Sequence, residues 1–160
     1  MQIAGKVADD LNEDLPDDPQ ALAELAGRCM YESDTASQAL GAKLDSVAPG
    51  KAAMTMTVRR DMLNGHRTCH GGFIFALADS TFAFACNSRN LVTVASGCSI
   101  DFLAPAFEGD LLTATAVEYS LAGRTGIYDV HVSNQEGKKI AVFRGRSYRI
   151  KGNVVEARQD

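Results

Sequence analysis

The hydrophobic and polar positions of this chain change period several times. In "DDPQALAELAGRCMYES", Leu22, Leu25, Ala26, Cys29 and Met30 form one stripe at three- and four-residue steps, the mark of an amphipathic helix. Asp18 can cap it, and Pro19 suits its first position. In "LGAKLDSVAPGKAAMTMTVR" the period becomes two: Met54, Met56 and Val58 alternate with Ala53, Thr55 and Thr57. This predicts two short strands around Pro49-Gly50. Met62 to Gly72 has no period. Phe73 to Asn87 is apolar all round and of helical length, which predicts a central, buried helix. Four extended stretches follow: "NLVTVASGCSIDFLA", "GDLLTATAVEYSLA", "TGIYDVHVSNQ" and "KKIAVFRGRSYRI". They are rich in Val, Ile, Thr and Tyr and are separated by turn residues.

Consecutive strands joined by short turns give an antiparallel sheet, and one face of it must cover the apolar helix. The predicted class is α+β. The 160 residues suffice for one domain and are short for two, so residues 18–160 are read as a single domain. Residues 1–17 are acidic and are expected to form a flexible arm.

Charge is unevenly spread. Residues 1–34 hold nine acids and two bases, whereas residues 35–160 carry a net charge of +3. That body charge is too weak for a nucleic-acid footprint, and it leaves a few cations for a phosphorylated small molecule. The longest apolar run, about 14 residues with a charge inside it, is below the roughly 20 that cross a bilayer. The N-terminus has neither an apolar signal core nor an Arg-rich transit pattern. A cytoplasmic protein that binds no membrane is expected. Its four cysteines have no paired spacing and are expected to be reduced.

The chemistry concentrates in "NGHRTCHGGFIFALADSTFAFACNS". Asp79 is the one charge in the apolar helix, where an unpaired carboxylate costs several kcal/mol. Either Ser80, Thr81 or an arginine across an interface satisfies it, or it is an acid, base or nucleophile. Gly71 and Gly72 precede the helix. They make either a tight turn into a crowded helix or a tip whose free N–H groups hold a developing oxyanion. Asp79 lies eight residues beyond Gly71, roughly 12 Å along a helix axis, so one carbonyl cannot touch both in a single chain. If both serve one reaction, a two-fold dimer with antiparallel helices must bring them together.

This layout resembles the hotdog fold, an antiparallel sheet wrapped around a central helix, here with an extra N-terminal helix. The quoted stretch is similar to the acyl-CoA thioesterases of the phenylacetate pathway (PaaI type). Asn64 precedes His70-Gly71-Gly72, and Asp79 follows 15 residues after Asn64. The resemblance runs from about Leu40 to Ile150. It implies Asp79 as nucleophile or general base on water, and the Gly71 N–H as the group polarising the thioester carbonyl. Asn64 would bind the thioester or position water. His70 would orient the turn or help hold the oxyanion. It also implies an acyl-CoA substrate with an aryl or arylacetyl acyl group, no cofactor, and a homo-oligomer, either a dimer or a tetramer of two dimers.

Without the resemblance, Asn64-Gly65 reads as a turn. Gly72 and Thr81 are candidate substrate contacts, Thr81 alternatively packing in the core. Arg89, Arg124, Lys138, Lys139, Arg144 and Arg146 are candidates for the coenzyme A phosphates, with Arg124 and Arg144 preferred. His66, Cys69 and His70 lack a fourth ligand at zinc spacing, so no metal is expected. Cys69 as a nucleophile fails because adjacent side chains, here Cys69 and His70, rarely face each other. Cys86 and Cys98 read as core, and His131 as structural. Two rivals remain: a hotdog hydratase or dehydratase, which needs a His–acid pair not found here, and a non-enzymatic acyl-CoA-binding module, which would not need Asp79.

Overall fold

The computed structural model describes residues 15–156. Most of the arm expected over residues 1–17 lies outside them. At its end, Leu15 packs with Leu25, Cys29 and Val155, so this residue belongs to the fold.

Helix α1 (Pro19–Ser33) begins as its sequence dictates: the Asp18 carboxylate accepts from the Ala21 N–H at 2.8 Å, and proline fills the first turn. A second helix, α2 (Thr35–Leu40), has no counterpart among the predicted elements. It is only six residues long, too short for a readable period, and is held by its cap, Asp34, which accepts from the Ser37 N–H and hydroxyl. Strands β1 (Lys43–Ala48) and β2 (Lys51–Thr57) form the hairpin predicted around Pro49-Gly50. A short 3₁₀ turn (Arg60–Met62) leads to the long helix α3 (Gly71–Asn87). This helix starts two residues before the expected Phe73, because His70 supplies its cap.

Strands β3 (Leu91–Phe102), β4 (Leu111–Ala122), β5 (Thr125–Ser133) and β6 (Lys139–Asn153) complete one antiparallel sheet in the order β1-β2-β4-β5-β6-β3. The sheet wraps α3. Met54, Met56, Leu112, Ala114, Val130 and Val132 face the helix and are at most 1 % exposed. Gly145 of β6 lets the buried Phe82 ring lie against the strand, since a methyl group there would stand 2.8 Å from three ring atoms. Phe82 also packs against Phe143 and Tyr128.

The last strand in the row is β3, paired only with β6. Its helix-facing residues Cys98 and Ile100 are half-buried and Phe102 is exposed, unlike the sealed inner positions of β2, β4 and β5. The helix is likewise not buried on every side, as its uniform apolarity predicted. Phe73, Ala76, Asp79, Ser80 and Ala83 form a strip that this single chain covers only in part.

Candidate active site

The loop before α3 is built around Asn64. Its Oδ1 accepts from the N–H groups of His66 (2.9 Å) and Thr68 (3.3 Å), an Asx turn that closes the loop on itself. The turn reading of Asn64-Gly65 therefore holds. It leaves the Asn64 Nδ2 group without an acceptor among the described residues. The His70 N–H donates to the Met62 carbonyl and the Cys69 N–H to the Ala106 carbonyl, both at 2.8 Å, so the entry to α3 is pinned on two sides.

His70 caps the helix. Its Nδ1 accepts from the Gly72 N–H at 3.0 Å. That consumes the Gly72 donor and leaves the Gly71 N–H with no acceptor among the described residues. Asn64 and Gly71 open on one cavity of about 480 Å³, also lined by Cys69, Ile74, Phe102 and Pro105. A polar pair of donors thus sits at a helix N-terminus against an apolar wall, an arrangement suited to a carbonyl oxygen that gains negative charge.

Asp79 lies further along α3, half-buried. Burial pushes its carboxyl above the ordinary range, opposed by one hydrogen bond from Cys98. Neither neighbour expected to satisfy it does so. The Thr81 hydroxyl donates to the Leu77 carbonyl at 2.7 Å, and the Ser80 hydroxyl is 3.0 Å from that of Ser37. Instead the Cys98 thiol stands 3.7 Å from Asp79 Oδ1. The sequence reads Cys98 as a core residue. Alternation along β3 can put it on the helix-facing side, but which helix residue it meets depends on how the strand crosses α3.

The structure gathers Asn64, His70, Gly71 and Gly72 at the tip of α3 and sets Asp79 two turns away. Thr81 is fully buried within the chain, its hydroxyl turned to the Leu77 carbonyl. Burial raises the Cys69 thiol to about 11, which keeps it protonated and poorly nucleophilic.

The sequence profile described as Thioesterase superfamily matches residues 66–141. The chain is 53 % identical over 125 residues to the acyl-coenzyme A thioesterase PaaI of Escherichia coli K12, covering 78 % of this chain and 89 % of that protein. The chain belongs to the hotdog-fold thioesterase superfamily.

Two solved structures resemble this thioesterase. One is the E. coli PaaI protein from the phenylacetic acid degradation operon, with TM-score 0.84 and 49 % identity over 85 % of this chain and 99 % of that one. The other is a variant of the phenylacetic acid degradation protein PaaI from Thermus thermophilus, with TM-score 0.71 and 44 % identity over 73 % and 100 %.

The remaining candidates of this hotdog thioesterase lie outside the cavity at the helix tip. Arg124 sits in the β4–β5 turn and joins no ion pair among the described residues. Arg144 points from β6 to the outer face of the sheet. There it is held by both Asp129 oxygens (2.6 and 2.8 Å) and stacks on Tyr119. Arg89 is spent on Glu118. His131, expected to be structural, is exposed on β5. No helix among the described residues is long and apolar enough to cross a membrane.

Proposed function

We propose that the chain hydrolyses an acyl-CoA thioester to the carboxylic acid and free coenzyme A in a site shared by two copies. Asp79 of one copy attacks the thioester carbon or takes a proton from the attacking water. The Gly71 N–H of the other copy, with the Asn64 amide beside it, stabilises the oxyanion. His70 holds the tip in shape through its bond to Gly72. Arg124 is the cation retained for the coenzyme A phosphates. The name and operon of the E. coli relative favour an arylacetyl acyl group. The four free thiols favour a cytoplasmic setting.

One observation carries this reading: the unused N–H of Gly71 and the half-buried carboxylate of Asp79 stand eight residues apart on one helix, about 12 Å of axial rise, beside an uncovered sheet edge. Cys98 lies over Asp79 and Phe102 over Gly71. If two β3 edges pair antiparallel about Ile100, Cys98 of each copy stands opposite Phe102 of the other. That register carries each Asp79 toward the other copy's Gly71 and makes two equal sites. Pairing of two such dimers gives the tetramer.

Subunit mixing tests it. Asp79→Asn removes the carboxylate, and Gly71→Pro removes the N–H while suiting the first helical position. Each variant alone should release no thiol from phenylacetyl-CoA. Refolded together in equal amounts, they should regain about a quarter of wild-type activity, because half the dimers then hold one intact site of two. No recovery in a proven mixed dimer would place both groups in one chain's site and sink the shared arrangement.

A further inference from the structure

The only side-chain hydrogen bond that Asp79 receives among the described residues comes from a thiol on the edge strand. Sulfur at 3.7 Å from Oδ1 is within range for an S–H donor, a weak one. Of the hydroxyls next to Asp79 in sequence, Thr81 donates to the Leu77 carbonyl and Ser80 accepts from the Ser37 hydroxyl, and neither hydrogen-bonds the carboxylate. Nothing on α3 itself therefore fixes the carboxylate, which stands on the strip of the helix that its own chain leaves open.

We propose that Cys98 is a positioning residue for Asp79: its thiol holds the carboxylate in one orientation beside the open edge of β3 and favours its ionised form. This rests on the reading that Asp79 is the reacting carboxylate. The thiol suits the task because it remains a thiol: burial, and then the charge of Asp79, push its own ionisation upward, so it keeps its proton as a donor. The other titratable groups around the pair are Cys86 further along α3, Arg146 on β6, and Asp34 at the start of α2, reached through Ser37 and Ser80. None of them hydrogen-bonds Asp79. A weak donor also fits a group that must let go of a proton-accepting oxygen during each turnover. A strong, permanent partner would lower the basicity of that oxygen.

The test is the pH profile of kcat/KM for wild type, Cys98→Ala, Cys98→Ser and Asp79→Asn, read by thiol release. Losing the donor leaves the carboxylate less easily ionised, so the acid limb of Cys98→Ala should move to higher pH. At pH 5 its kcat/KM should fall about 3- to 10-fold, while at pH 8 it changes by less than about threefold. Cys98→Ser, which restores a hydroxyl donor, should return the limb to the wild-type position or below it. A limb in Cys98→Ala that overlays wild type, or a uniform loss at every pH that serine does not rescue, would overturn the proposal. Asp79→Asn separates this from the parent reading: full activity there removes Asp79 itself from the chemistry.

Discussion

The ring of Phe102 lies over Gly71, so close that a methyl group added to Gly71 would stand 2.8 Å from Phe102 Cζ. The edge strand thus supplies a wall to the helix tip, and glycine is what lets the wall approach. Phe102 is 52 % exposed and can swing away, so the contact shapes the site more than it stabilises the fold.

Two substitutions at Gly71 separate wall from donor. Gly71→Ala keeps the N–H and displaces the ring; it should cost about 10-fold in kcat/KM. Gly71→Pro displaces the ring and also removes the N–H; it should cost a further 100-fold or so, the scale of losing one oxyanion donor. Both should melt within about 4 °C of wild type, since each is compatible with a first helical turn. Steady-state kinetics and thermal melts check this, and equal losses in the two variants would remove the N–H from the mechanism.

Glu118 and Arg89 form a two-pronged ion pair (2.6 and 3.2 Å) that ties β4 to the end of α3, and the Tyr128 hydroxyl donates to the same carboxylate at 2.8 Å. Burial raises the Glu118 carboxyl, but the hydrogen bonds from Arg89 and Tyr128 outweigh it and hold it below the ordinary range. A lowered carboxylate stabilises the fold above its unfolded value and loses that contribution as pH falls through the folded value. Glu118→Gln should therefore cost about 1–2 kcal/mol at pH 7, less than a sealed pair would because Arg89 is 38 % exposed. The gap to wild type should close between pH 5 and pH 3. Urea unfolding at both ends of that range measures it; a gap that stays constant would mean that Glu118 does not titrate differently in the two states.

The two arginines singled out for phosphate binding should behave differently. Arg124 lies free of ion pairs among the described residues, whereas Arg144 is held by Asp129 on the outer face. Arg124→Ala should raise KM for acyl-CoA about 3- to 10-fold with kcat little changed, an effect that shrinks as salt screens the wild-type contact. Arg144→Ala should leave KM within about twofold. Initial rates at low and high NaCl decide between them.

Local pattern was enough wherever one element decides its own state. The stripe and cap of α1, the alternation of Met54, Met56 and Val58, and the Val- and Thr-rich runs each carry their period in the chain, and each forms accordingly. Helix α2 escaped because six residues show no period and its stability comes from one aspartate cap. The site was half legible. A carboxylate amid apolar residues and two glycines at a helix start announce themselves by being costly or special where they stand. The Cys98 contact does not, because a cysteine in a strand looks like core whichever helix residue it meets.

By itself, the order of residues determined the two longer helices and the six strands, and which two groups cannot meet within one chain, since hydrogen-bond periodicity and helix rise are local and fixed. Only the tertiary structure decided that β3 parts from β4, its neighbour in the chain, and ends at the far edge beside β6, which exposes its free side and the strip of α3 beneath it. Strand order is set by which faces can be buried together, a sum over distant side chains that no single stretch contains.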